Sequence, residues 1–152
     1  MKRTILITTL IAGTLDILAA FIRSYVTDGV PPSTVLKYIA SGAFGNSAFA
    51  AGAQMIAFGL LVHYFIAFSC TVCFFLIYPR WPLLRRSIVL NGILIALVAW
   101  VVTTRLIIPR SKAAQGPFDL LEASIAIAIL IVCVGLPNAY FAKRYYDRMV
   151  RF

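Results

Sequence analysis

Residues 48–78, AFAAGAQMIAFGLLVHYFIAFSCTVCFFLIY, lie within the longest stretch of the chain that has no Asp, Glu, Lys or Arg. About 20 apolar residues are enough for a helix to cross the hydrocarbon core of a bilayer. This run is therefore long enough to span a membrane, and it is too long for one straight crossing. We expect its start, around residues 47–54, to lie outside the hydrocarbon core or to tilt strongly.

The composition of the whole chain agrees with this interpretation. Of its 152 residues, 62% are hydrophobic and only 12% are charged, and the mean hydropathy is +0.94. Soluble domains are about 45–50% apolar and about 25% charged, and a chain of this size has no interior that could hold the excess apolar side chains. Disordered chains are poor in aromatic and β-branched residues, in which this one is rich. A soluble domain and a disordered chain are both excluded, which leaves a small polytopic membrane protein.

The apolar pattern predicts an all-α membrane protein, with four transmembrane helices in an antiparallel bundle that forms a single domain over residues 1–152. The connector after the first span contains Asp28-Gly29-Val30-Pro31-Pro32, which stops a helix. Ser33 is then the expected cap of a short amphipathic helix, about residues 33–41, on the extracytoplasmic interface. The other connectors are short, so consecutive spans are expected to be antiparallel neighbours. The predicted spans are about 4–22, 48–78, 87–108 and 118–142.

Basic residues outnumber acidic ones by 14 to five, for a net charge of +9. In a soluble chain this balance would suggest nucleic acid, but here the bases lie between apolar runs, so we expect a lipid bilayer and no nucleic acid as partner. The positive-inside rule places both termini in the cytoplasm. The nine bases on that side are Lys2, Arg3, Arg80, Arg85, Arg86, Lys143, Arg144, Arg148 and Arg151, and the five opposite are Arg23, Lys37, Arg105, Arg110 and Lys112.

Each predicted span carries one ionisable side chain inside it or at its edge: Asp16, His63, Arg105 and Glu122. A charge in hydrocarbon is costly unless it faces the interior and finds a partner, so we expect an intramembrane polar cluster in which Asp16 pairs with His63 and Arg105 with Glu122. The cluster is either a packing device or a proton relay or polar pocket, because histidine is the side chain that changes its charge near neutral pH. We expect no metal, since one histidine and one carboxylate supply too few ligands, and no cofactor.

Two other patterns concern helix packing. Small residues, including Gly13 on the first span and Gly52 and Gly59 on the second, predict close approach of these two spans. Gly135-Leu136-Pro137-Asn138 predicts a kink in the fourth span, with freed carbonyl groups that Asn138 or water would satisfy.

Four segments resemble a widespread family of small four-span bacterial membrane proteins of unknown function. They are residues 11–20 (IAGTLDILAA), 39–45 (IASGAFG), 59–68 (GLLVHYFIAF) and 135–137 (GLP). The resemblance implies a bacterial inner-membrane location and a four-helix fold, without an assigned activity. It also implies that Asp16 and His63 occupy recurring positions. In the third span, Pro109-Arg110-Ser111 departs from the family pattern by its arginine.

Four short spans leave little room for a private solute pathway. The leading hypothesis is therefore a structural or accessory subunit that acts through membrane-complex partners or as a homo-oligomer. The alternative is a small transporter or channel component in which Asp16 and His63 handle a proton or a cation. An intramembrane enzyme acting on lipid or quinone is a weaker alternative, because no obvious nucleophile accompanies the single histidine.

Overall fold

The computed structural model describes residues 1–81, 84, 87–113 and 119–150, and every regular element in these ranges is helical. A 3-10 turn (Tyr78–Arg80) follows α4, and two π-helical segments (Val102–Ile107 and Ile131–Gly135) join α5 to α6 and α7 to α8. Arg85, Arg86, Arg151 and the predicted start of the fourth span at residue 118 lie outside the described residues. The helices are α1 (Lys2–Asp28), α2 (Pro32–Phe44), α3 (Ser47–Ala50), α4 (Ala53–Ile77), α5 (Ile88–Val101), α6 (Ile108–Arg110), α7 (Leu120–Leu130) and α8 (Leu136–Val150).

Four helical stretches are long and apolar enough to cross a membrane, by their length and composition: Lys2–Asp28, Ala53–Arg80, Ile88–Arg110 and Leu120–Met149. They expose large apolar side chains; for example, Leu61 is 66% and Phe65 67% exposed. In water such surfaces would be unfavourable, whereas a bilayer solvates them. The structure is thus that of a multipass membrane protein whose apolar helix faces suit contact with lipid.

The first and second stretches differ in their ends from the predicted spans. α1 continues past residue 22 to Asp28 and ends at Gly29, whose φ of 66° is the left-handed conformation that glycine adopts readily. The long second run is divided into two helices: α3 is separate, and α4 begins only at Ala53. The second membrane-crossing helix therefore excludes the first residues of the run.

The helix predicted at residues 33–41 is α2, and its start and end differ from the prediction. Ser33 does not cap it, and the helix begins at Pro32. Proline suits the first turn of a helix because its φ is already fixed at a helical value, and because the N–H that it lacks would have no partner within the helix. It continues to Phe44 and ends at Gly45, with a φ of 65°. α2 packs closely on α4, where the Leu36 backbone fills the space that a side chain at Gly59 would need.

Glycines mark the other close helix contacts. Gly13 of α1 faces α4, where the ring of Tyr64 lies 3.0 Å from the position of a Cβ, which confirms the predicted role of this small residue. Gly92 of α5 and Gly135 of the fourth stretch meet backbone to backbone, so that a Cβ on Gly135 would overlap the Gly92 carbonyl group. A Cβ on Gly52 would meet nothing within 4 Å, so no close helix approach requires a glycine at this position.

A kink was predicted near Pro137; immediately before this proline the structure has a π-helical segment, Ile131–Gly135. Proline cannot donate a backbone hydrogen bond, and it crowds the preceding turn. Asn138 Nδ2 donates to the Val134 carbonyl oxygen at 2.9 Å, which confirms the expected role of this side chain. The fourth stretch therefore crosses as one helix with a widened turn in its middle.

Candidate functional site

A cavity of about 560 Å³ lies between α1, α2, α4 and the third and fourth long stretches. Most of its walls are aliphatic, and Trp100 supplies an aromatic surface. It extends from Cys70 and Val134 to Ser111 and Ala113, in the connector after α6. Polar side chains on its walls include Asp16, Tyr38, His63, Thr103, Thr104 and Ser111.

His63 is placed in this cavity by α4 and is fixed to α1. Its Nε2 lies 2.8 Å from the carbonyl oxygen of Gly13, an approach that the missing side chain of Gly13 permits. A carbonyl oxygen only accepts, so Nε2 donates the hydrogen of this bond. The hydroxyl groups of Thr14 and Tyr64, 2.7 Å apart, add a second polar link between the same two helices.

Asp16 comes three residues after Gly13 on α1, which puts both on one face of that helix. Its carboxylate and the His63 imidazole line the same cavity. Asp16 and His63 are both half-buried. The two residues that were expected to pair therefore share one site, with the His63 Nε2 held by the backbone.

Glu122 and Arg105 lie elsewhere, and neither is among the described residues that line the cavity. The Glu122 carboxylate forms a salt bridge with Arg23, which joins α7 to the last turns of α1. Arg105 is exposed, in the π-helical segment of the third stretch. Its predicted pairing with Glu122 stays a prediction. The sequence analysis did not predict Arg23 as a partner of Glu122. The available sequence signal was its spacing on α1, because it follows Asp16 by seven residues, which is two turns of the helix.

The cavity also depends on residues that no sequence motif had indicated. Thr103 and Thr104 belong to the π-helical segment Val102–Ile107, a distortion found often at functional sites. Thr104 Oγ1 donates to the Trp100 carbonyl oxygen at 2.6 Å, so its hydrogen is already used. α2 completes the wall, and the backbone N–H of Lys112 holds its last turn by donating to the Gly42 carbonyl oxygen at 2.9 Å.

No known protein family, curated protein or solved structure matches this chain. The resemblance noted in the four sequence segments therefore stays an expectation, and the site is interpreted from its own chemistry.

Proposed function

We propose that the four long helices cross the bacterial inner membrane as an antiparallel bundle, with both termini in the cytoplasm and α2 at the extracytoplasmic interface. The distribution of basic residues supports this orientation. The position of α2, between two long helices and packed on α4, supports its placement at the outer end of the bundle. In this orientation the Ser111 end of the cavity faces outward.

Within this arrangement we propose that the protein is a small transporter or channel component, with Asp16 and His63 as its proton- or cation-handling groups. The observation that carries this proposal is the cavity that contains both residues. A packing device needs no unfilled space around its polar groups, because protein interiors are otherwise close-packed. Ligand pockets are typically about 300–1,000 Å³ in volume and mostly apolar, with a few polar groups.

The lining favours an organic cation with an apolar surface over an inorganic ion. A bare metal ion needs several oxygen ligands to replace its hydration shell, and the aliphatic walls supply few. A substituted ammonium ion needs one counter-charge and an apolar enclosure, and the face of an aromatic ring adds a favourable interaction. Asp16 supplies the counter-charge, the aliphatic lining supplies the apolar enclosure, and Trp100 supplies the aromatic ring.

The test is the binding of tetraethylammonium to the purified protein, measured by equilibrium dialysis. We expect Asp16→Asn to weaken binding at least about tenfold, the loss expected for removal of one close counter-charge in a partly desolvated site. Asp28→Asn is the matched control, because it removes the same charge from the last position of the same helix, and it should leave binding unchanged. Equal weakening by the two variants, or absence of binding by the wild-type protein, would refute the proposal.

A structural or accessory subunit is the second candidate, and the hydrogen bond between His63 and the Gly13 carbonyl oxygen favours it. If this bond only joins α1 to α4, His63→Ala should lower the melting temperature and leave fluxes into liposomes unchanged. If His63 handles protons, His63→Gln, which retains an N–H donor, should keep the melting temperature and abolish proton movement driven by a tetraethylammonium gradient. The two variants together separate the two functions.

A further inference from the structure

A second cavity lies at the other end of the molecule, between the first turns of α1 and the last turns of α8. We call it the basic groove; its volume is about 450 Å³. Arg3 lines it from α1, and Arg144 and Arg148 line it from α8. This region is separate from the cavity that contains Asp16 and His63, and the roles proposed for those two residues do not depend on it.

The positive charge of the basic groove is not balanced by an acidic side chain among the described residues that line it. The nearby Asp147 is bridged by Lys143, whose Nζ lies 3.3 Å from its carboxylate. Among the described residues, no hydrogen bond or ion pair engages the side chain of Arg3 or Arg148. Three guanidinium groups around one cavity repel one another, so an anion that they share would be bound favourably.

Guanidinium groups favour phosphate in particular. Their planar array of N–H donors matches the spacing of two phosphate oxygens, and such charge-assisted bonds are stronger than neutral ones. Arg144 uses one donor on the hydroxyl group of Tyr140, at 3.0 Å, and keeps the others. The exposed side chains of Arg3 and Arg148 are open to a ligand.

The remaining walls are apolar and distinguish a lipid from a soluble phosphate. Ile7 and Phe141 line the groove beside the arginines, and Ile7, at 40% exposure, continues onto the outer apolar face of α1. Both residues belong to membrane-crossing stretches. Basic pockets between membrane helices at the cytoplasmic surface are typical sites for anionic lipid headgroups. We propose that the basic groove binds an anionic phospholipid, with the arginines on its phosphate and the apolar wall against an acyl chain.

The experiment is a mass-spectrometric titration of the delipidated full-length protein with phosphatidylglycerol or with phosphatidylcholine of the same chains. We expect the anionic lipid to bind at least about tenfold more tightly. Arg148→Gln should lower its affinity about tenfold, as expected for the loss of one charge-assisted hydrogen bond, and Arg3→Gln should do the same from the other helix. Lys2→Gln is the matched control, since it removes an exposed positive charge next to the groove that does not line it. It should change the affinity less than about twofold, because this exposed charge makes no hydrogen bond to a ligand in the groove and interacts with it only through water.

Each outcome decides the proposal. Equal affinity for the two lipids, or an equal loss in Lys2→Gln and Arg148→Gln, would reduce the effect to general interfacial charge and overturn it. Displacement of the lipid by millimolar inorganic phosphate would show a phosphate site without lipid recognition and would also overturn it. Melting curves in phosphatidylcholine micelles check that the variants fold. If Arg148→Gln does not fold, Arg148→Lys keeps the charge without the planar donor array, and it should still bind the anionic lipid more weakly than the wild-type protein.

Discussion

Replacement of Gly59 by alanine tests the contact that holds α2 against α4. The added Cβ would overlap the carbonyl group of Leu36 and lie 3.3 Å from its Cα. These are backbone atoms of a helix and cannot rotate away, so α2 must move outward by about the size of a methyl group. Such a movement loosens the packing of Leu36 and Ala40, which are buried at 7% and 0% exposure.

The size of the effect follows from two opposed contributions. Overpacking costs about 1–3 kcal/mol, and the upper value applies here because the obstructing group is backbone. Alanine in a helix interior recovers about 1 kcal/mol relative to glycine. The net loss in free energy of unfolding is about 2 kcal/mol, and for a chain of this size it lowers the melting temperature by about 4–8 °C.

Thermal unfolding in detergent micelles measures this change, with Gly52→Ala as the matched control. A Cβ on Gly52 would have nothing within 4 Å, and the φ of −76° is one that any residue can adopt. There the substitution should be neutral, or raise the free energy of unfolding by up to about 1 kcal/mol through the unfolded chain. Equal melting temperatures for Gly59→Ala and Gly52→Ala would contradict the close packing of α2 on α4.

The other predictions concern single contacts. Gly135→Ala should destabilise at least as much as Gly59→Ala, since its Cβ would overlap the facing backbone of α5; a melting temperature equal to that of the wild type would contradict that crossing. Tyr146→Phe removes the 2.7 Å hydrogen bond to the Phe75 carbonyl oxygen and should cost about 1 kcal/mol in chemical unfolding, whereas no change would mean that water replaces it. Arg23→Gln breaks the salt bridge to Glu122, whose side chain is 53% exposed, and should cost less than about 1 kcal/mol; a larger loss would indicate a buried pair.

The four long helices were predictable because the length and polarity of a membrane-crossing helix are fixed by the bilayer. The same length argument predicted that the start of the second run lies outside the hydrocarbon core or tilts strongly; that this start forms the separate helix α3 was not predicted. The cap at Ser33 was wrong, because two adjacent prolines compete for the start of a helix and the preset φ of Pro32 decides it. Arg23 was missed because a span drawn to residue 22 ends before the continuation of α1 that carries it.

Other features depend on contacts between distant segments and leave no pattern in the sequence. The π-helical segment Val102–Ile107 is one such feature, since its widened turn is not encoded by any local periodicity. The role of Gly59 is another: a glycine on α4 indicates a close approach but does not say which helix approaches. Asp16 and His63 were singled out as ionisable side chains in apolar helices, and both line one cavity. The same argument also singled out Arg105 and Glu122, which are not among the described residues that line it.

The proposed cation handling by this protein is tested most directly by asking whether an aqueous cation reaches the cavity that contains Asp16 and His63. In a cysteine-free background, Thr103→Cys places a thiol on the cavity wall, and Val98→Cys places one on the outer face of the same stretch, where the native side chain is 61% exposed. The reagent is a methanethiosulfonate with a trimethylammonium group, applied to the protein in liposomes. We expect rapid labelling of Thr103→Cys, slowed by excess tetraethylammonium, and negligible labelling of Val98→Cys. Labelling of Thr103→Cys no faster than that of Val98→Cys would contradict the proposed cation handling.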